Sequence, residues 1–578
     1  MTLASPPPVP APAWRTPFEN DPAGNTTATY AECIGYYQKL AAAYPQHLHL
    51  AEAGPTDAGL PLHEVVLSAD GDADPASTRR KNRRILFIQN GIHPGEPEGI
   101  DASMMLARDL MQQKSLQKLL VQVTVVIVPV YNIDGMLNRN ATTRVNQNGP
   151  AAYGFRGNAR NLDLNRDYIK QESRNARSFA ALFQKWQPDV FVETHTSNGA
   201  DYQYTMTLIA TQHSKLAPAL GTYLQGQLLP ALYKGMEQKK WPMTPYVDFE
   251  GQTPESGLQA FLETPRYSTG YAALFNTIGF MPETHMLKAF APRVHSTYDF
   301  LQTMLETVGQ QAAALAAARA AATAGMAAQT TFPLTWALDD SQHETVQFRG
   351  YEGRTKPSDV SGQPRLYYDR AAPFTRPVPY FNTFLPTTTA GRPAAYIIPK
   401  AWVEVADILR RNGATLEPLA HDVTAPVEVY YFTDFKTTPK PFEGHYVHSQ
   451  VQVQTKTETV AFQPGDLVVY LSGAAPVRYL VETLEPQATD SFFAWGFFDS
   501  VLQQKEHYSD YVFEDLAADL LRRDPALRQR LETLRQQNPA FAANGPAQLE
   551  WVYLNSAYHE PGHNRYPVAR WLGPGKIQ

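Results

Sequence analysis

The stretch RILFIQNGIHPGEPEGI, Arg84 to Ile100, decides how the first half of this chain folds. It begins as a compact apolar run suited to a buried strand. Gly91, Pro94, Gly95 and Pro97 then form a knot in which neither strand nor regular helix continues easily. His93 and Glu96 stand three apart inside that knot. Beyond it, Ile100, Met104, Ala107 and Met111 recur at helical spacing. The expected local unit is strand, abrupt turn, helix.

The same alternation continues outward. VQVTVVIVPVYN (121–132) is a second β-branched run, and RSFAALFQKW (177–186) predicts a helix with Phe179, Leu182, Phe183 and Trp186 on one face. PDVFVETH (188–195) reads as a third strand. Strands alternating with helices imply an α/β domain whose mixed, largely parallel sheet is flanked by helices. The Ala-rich stretch MLETVGQQAAALAAARAAATAGMAAQ (304–329) closes that domain as close-packed helix. Past about residue 330 the texture changes. VQVQTKTETVAF (451–462) alternates like a half-exposed strand, while AAYIIP (394–399) and AWVEVADILRRNG (401–413) read as a strand and then a helix ended by Gly413. The expected division is a Pro-rich tail at 1–24, a catalytic domain at 25–330 and a β-rich mixed accessory domain at 331–578.

Composition narrows the function. An apolar share of 43% and an aromatic share of 11% over 578 residues suit an ordinary globular protein with more than one domain. A net charge of −6 argues against a general nucleic-acid binder, and RRKNRR (79–84) reads as a solvated loop edge. Cys33 is the only cysteine, so an internal disulfide and a multi-thiolate zinc site are both excluded. Its helical spacing with Tyr30, Ile34, Tyr37 and Tyr44 makes it a buried helix residue. LLVQVTVVIVPVY (119–131), the longest apolar run, is too short to span a membrane. The N-terminus lacks the pattern of a signal peptide. A secreted or periplasmic location is expected if a signal was removed, and a cytoplasmic one otherwise.

Ligands of open α/β sheets bind beyond the carboxyl ends of the strands. His93 and Glu96 follow one strand directly, and His195 ends another. Zinc accepts imidazole and carboxylate ligands at about 2.0–2.2 Å, and catalytic sites use three protein ligands. These three residues form a two-His, one-carboxylate set. Glu193 shares a strand face with His195 and is placed to orient it. The irregular stretch RVNQNGPAAYGFRGNARNLDLNRDY (144–168) carries Arg144, Arg156, Arg160 and Arg166, which suits an anionic substrate. TPRYSTGYAALFNTIGFMPETH (264–285) offers Tyr267, Tyr271 and, as a possible general base, Glu283.

Five motifs, GIHPGEPEG, PVYNIDG, NLDLNRDY, VETHTS and GFMPETH, occur in the order seen in zinc metallocarboxypeptidases of the carboxypeptidase A type, which the chain resembles over roughly residues 25–310. The resemblance implies one zinc held by His93, Glu96 and His195. It implies that Asn165 and Arg166 grip the terminal carboxylate of a peptide or protein substrate, that Glu283 is the general base and that Tyr267 closes over the substrate, with Tyr271 as the alternative. Arg144 resembles the oxyanion-stabilising arginine, leaving Arg156 and Arg160 open. The implied pocket floor near Leu274 suggests an apolar terminal residue. Two departures stand out. The interval from Glu96 to His195, 99 residues, looks shorter than in the digestive enzymes. Pro282 precedes Glu283, which is unusual within a strand and makes Glu263 the fallback base.

Hydrolysis of C-terminal peptide bonds is therefore the expected activity. The alternatives are a zinc amidohydrolase acting on N-acyl amino acids or cell-wall peptides, and a non-catalytic peptide-binding relative. A second His/Glu cluster, YHEPGHNRY (558–566), formally matches H-E-x-x-H through His559, Glu560 and His563. Pro561 and Gly562 exclude the helix that this pattern needs, so it is expected to be a loop, packed against the catalytic domain.

Overall fold

The apolar run at the start of the quoted stretch forms Arg84–Gln89, an inner strand of a nine-stranded sheet. This is seen in a computed structural model, which describes residues 14–247, 253–473 and 475–577. The strand is apolar without alternation because both of its faces are covered. Ile85 and Phe87 join the cluster containing Phe179, Phe183 and Trp186 of the helix Arg174–Trp186. Leu86 and Ile88 join the cluster of Met104, Met304 and Val308, from the helices Glu98–Gln112 and Phe290–Gln310.

Across the sheet the order is Leu48–Pro55, Pro61–Leu67, Val123–Val128, Arg84–Gln89, Val190–Glu193, Ile278–His285, Met206–Ala210 and Met243–Pro245. The strands from Val123–Val128 to Ile278–His285 run parallel, so their carboxyl ends share one edge. The expected strand at 188–195 is interrupted at Thr194 and resumes as His195–Ser197, which pairs with the second part of Ile278–His285. That break explains Pro282. Ile278, Gly279 and Phe280 pair with Val190, Phe191 and Val192, whereas Glu283 pairs with His195. The proline thus sits opposite the interruption, where a missing N–H disturbs the ladder least.

The Ala-rich stretch divides between two helices, Phe290–Gln310 and Ala312–Ala328, the second followed directly by the strand Thr331–Leu338. The C-terminal half contains an antiparallel six-stranded sheet ordered Glu417–Pro418, Leu467–Tyr470, Ala395–Ile398, Ala569–Trp571, Val423–Thr437 and His448–Phe462. Helices also occupy Val477–Leu484, Asp510–Arg523, Pro525–Gln537 and Gly545–Leu554, so this half is mixed as well as β-rich, as its sequence texture suggests. The two halves share one core. Phe275 stacks on Tyr479 with ring centroids 5.3 Å apart, and the Tyr271 hydroxyl donates to Asn412 Oδ1 at 2.6 Å.

Residues 1–13 of the expected tail lie outside the described residues. The rest of it packs against the first domain: Phe18 is buried, and Glu19 pairs with Arg108 at 2.6 Å. Cys33 is buried in the helix Tyr30–Ala43. No helix among the described residues is long and apolar enough to cross a membrane.

Candidate metal centre

After Gln89 the chain turns through Gly91, whose φ of +64° lies in the left-handed region that glycine adopts without penalty. A hydrogen bond from Glu96 N to the His93 carbonyl, 2.8 Å long, closes the turn. The helix Glu98–Gln112 follows at once. Gly99 lets it approach the sheet edge, for a Cβ there would lie 2.0 Å from Thr194 Oγ1 and 2.5 Å from Asn90 Oδ1. Composition alone hints at a tight turn. The packing makes it a fixed one.

The turn aims two side chains inward, and the strand break brings the third. Glu96 Oε1 lies 3.4 Å from His93 Nδ1, and Glu96 Oε2 lies 3.2 Å from His195 Nδ1. One ligand atom from each residue falls within 4.8 Å of the others. A tetrahedral zinc with ligands at about 2.0–2.1 Å separates them by about 3.3–3.4 Å, close to these spacings. His93 Nδ1 is buried with no hydrogen-bond partner. A buried imidazole nitrogen left bare between a carboxylate and a second imidazole is what a metal would satisfy. The residues present fit zinc.

Carboxylates support both imidazoles from behind. His93 Nε2 meets Asp163 Oδ1 at 2.9 Å, and His195 Nε2 meets Glu193 Oε2. Each Nε2–H is donated outward, which leaves Nδ1 as the free lone pair. Glu193 also accepts from Ser268 Oγ at 2.9 Å. Asp163 was not singled out from sequence, although it lies two residues before Asn165. The signal is available in the sequence: each histidine ligand needs a partner for its second nitrogen, and Glu193 can serve only one of them.

Charge follows this geometry. Burial raises the Glu96 carboxyl, but Arg144, His93 and His195 outweigh it and hold the group well below the usual carboxylate range. Burial also raises Asp163, and His93 and Arg156 more than reverse that. Burial disfavours the His195 cation, yet Glu193 and Glu96 hold its pKa well above the ordinary value. Glu283 differs. Burial, helped by Glu96 and Glu193 and opposed by His195 and Arg156, pushes its carboxyl up to about 8.

One cavity of about 540 Å³ is lined by His93, Glu96, Arg144, Asn165, Arg166, His195, Tyr267 and Glu283, with Arg156 beside them. The alternatives fall elsewhere. Tyr271 is fully buried in the core, and Arg160 binds the Glu172 carbonyl outside the cavity. Glu263 is buried beside Lys215, and Leu274 is a core residue. The apolar walls of the cavity are Ile209, Tyr246, Phe261, Met281 and Met286 instead. Residues 559–563 lie outside any helix, and among the described residues their hydrogen bonds and ring contacts reach Lys505, Glu506, Tyr553, Ser556 and Arg565, none of them in the first domain.

A family model for zinc carboxypeptidases matches residues 33–226, which include every proposed metal ligand, Asn165 and Arg166 but not Tyr267 or Glu283. Carboxypeptidase 2 of Trichophyton rubrum is 23% identical over 463 residues, covering 77% of this chain and 79% of that protein. Carboxypeptidase 2 of Trichophyton tonsurans is 23% identical over 427 residues, covering 71% and 73%. Among solved structures, a metallo-carboxypeptidase from Burkholderia cenocepacia aligns at a TM-score of 0.36 and 18% identity, covering 49% of this chain and 68% of its own. Residues 33–226 thus match a zinc carboxypeptidase domain, and most of the chain is similar to proteins named as carboxypeptidases.

Proposed function

We propose that the enzyme removes the last residue from a peptide that has a free C-terminal carboxylate. The observation that carries this reading is the pairing of two features in one cavity. The three converging ligand atoms, with His93 Nδ1 bare, lie in the same space as the Asn165–Arg166 pair.

Asn165 and Arg166 bind the terminal carboxylate and so select the chain end. The Arg166 guanidinium lies 4.3 Å from the centroid of the Tyr267 ring, and its Nη1 donates to the Asn165 carbonyl at 2.8 Å. Both contacts hold the fork in place before substrate arrives, which lowers the cost of ordering it. The walls Ile209, Phe261 and Met281 suit an apolar terminal side chain.

His93, Glu96 and His195 would hold zinc, which would supply Lewis acidity and lower the pKa of a water from about 15.7 towards about 7. Glu283 accepts the proton of the attacking water and returns it to the leaving amine. Its carboxyl, raised by burial, is suited to exchange a proton near neutral pH. The oxyanion role goes to Arg156. Arg144 is fully engaged, through Nε with Gln147, Nη1 with Glu96 and Nη2 with the Thr196 carbonyl. Arg156 binds Asp163 through Nε and Nη2 and holds Nη1 3.6 Å from Glu96, facing the reacting centre.

The test is to incubate the zinc-loaded protein with a mixed peptide library and identify the released residues by mass. Single terminal amino acids, apolar ones first, are expected. Release from N-acyl amino acids with peptides untouched would instead mark an amidohydrolase.

A further inference from the structure

Among the described residues, the side chains of the metal ligands meet polar groups of the first domain: Asp163, Glu193, Arg144, Arg156, Asn165 and Thr196. The segments that carry the proposed substrate contacts do not. Residues 163–172 hold Asn165 and Arg166, residues 263–271 hold Tyr267, and the C-terminal half touches both.

On the first segment, the Asp163 N–H donates to Glu443 Oε2 at 2.8 Å, and His445 Nε2 meets Glu172 Oε1 at 2.9 Å. Lys170 is buried, with its ammonium 3.8 Å from Asp167 Oδ1, 3.6 Å from Glu172 Oε2 and 4.6 Å from the Trp495 ring centroid. On the second segment, Arg266, next to Tyr267, donates its backbone N and Nε to Asp490 at 2.9 and 2.7 Å. The Arg266 guanidinium lies 4.8 Å from the same Trp495 ring. Trp495 is fully buried, and its Nε1–H makes no hydrogen bond, so its ring faces make the contacts. One indole thus receives a cation from each substrate segment.

We propose that Trp495, with Asp490, is a positioning residue that sets the two substrate-binding segments relative to each other, so that the C-terminal half completes the carboxylate-binding side of the site. A flexible Lys or Arg loses entropy when held, and the attraction of a buried aromatic face for the cation offsets part of that cost. The consequence is a division of labour. Damage at Trp495 loosens substrate binding and leaves the metal in place.

This rests on Asn165, Arg166 and Tyr267 being the contacts for the terminal carboxylate. The test uses the full-length, zinc-loaded protein and steady-state kinetics on a blocked dipeptide with a C-terminal phenylalanine. Trp495→Leu should raise KM about tenfold or more, the size expected for losing a desolvated cation–aromatic contact, with kcat and zinc content little changed. Trp495→Phe, which keeps a ring face, should recover most of the loss. Asp490→Asn should raise KM less and speed hydrogen exchange over 263–271 but not over 163–172. A folded Trp495→Leu protein with wild-type KM would overturn the proposal, as would a loss confined to kcat and zinc. A second measurement needs no change in the C-terminal half. In the Glu283→Gln protein, adding a peptide that ends in phenylalanine should slow hydrogen exchange over 488–496 as well as over both segments. Unchanged exchange over 488–496 would also overturn it. If the wild type releases no terminal residue from any peptide, the reading of the substrate contacts fails first. If it does and these variants behave as wild type, only the positioning role fails.

Discussion

Two turns in this protein are built from nearly the same residues, His93–Gly99 and His559–His563, and among the described residues only the first brings its ligand atoms together. In the first, the glutamate carboxylate lies between two imidazole nitrogens, 3.4 Å and 3.2 Å away. In the second, Glu560 turns aside to accept the backbone N–H groups of Lys505 and Glu506, and His559 Nε2 faces His563 Nδ1 at 3.0 Å. The first turn ends a buried strand, so it is rigid and shielded from water. It also receives His195 from a neighbouring strand and carboxylates behind both rings. The second turn spends its glutamate on local backbone groups, and among the described residues no further ligand completes a metal-binding group there. A metal site is set less by its own turn than by what the fold delivers to it.

The comparison can be broken most severely at the delivered ligand. His195→Ala should release zinc and abolish hydrolysis. Metal analysis is the check, and full occupancy would remove His195 from the ligand set. Glu283→Gln should keep zinc and lower kcat by about 10²–10⁴, the usual worth of a positioned general acid–base group. The same variant has a pH signature in the metal-free protein. A carboxyl raised to about 8 contributes stability that is complete below its unfolded pKa of about 4.5 and is lost as pH rises through about 8. Chelated Glu283→Gln should therefore lose less stability than wild type between those limits in denaturant titrations.

Smaller effects sharpen the picture. Arg156→Ala should cost about 10²–10³ in kcat if it supplies the oxyanion donor, and a near-normal rate would return that role to Arg144. Asp163→Asn leaves the ligands intact but weakens the support of His93, so zinc affinity should fall about 10–100-fold in competition with a chelator. At the second turn, His563→Ala should leave zinc stoichiometry and turnover unchanged, with stability within about 0.5 kcal/mol of wild type. A drop in bound zinc there would mean that the two turns are alike after all.

Much of the first domain was legible because its signals are local. The run Ile85–Gln89 has no polar alternation, so it had to be covered on both sides. Gly91, Pro94 and Pro97 had to end it. Glu193 and His195 share a face by the period of a strand. The break at Thr194 was not legible, although it makes room for Pro282 and sets Glu283 beside His195. Nor was the choice among arginines. Arg144, Arg156 and Arg160 occupy one irregular stretch, and only their partners separate a committed guanidinium from one facing the reacting centre. Tyr271 and Leu274 misled for a related reason. The resemblance that put them near the substrate matches residues along the chain, but does not say which face of a helix meets the core and which the cavity.

The sequence by itself determined the strand–turn–helix that carries His93 and Glu96, the α/β character of the first half, and the types of ligand available. These follow from short-range sterics and hydrophobic periodicity. Tertiary structure alone decided that Asp163 backs His93, that Ile209, Phe261 and Met281 line the cavity in place of Leu274, and that Trp495 receives cations from both 163–172 and 263–271. Those pairings join residues far apart in the chain. Burial and charge select them only after the sheet, the helices and the C-terminal half have closed on one another.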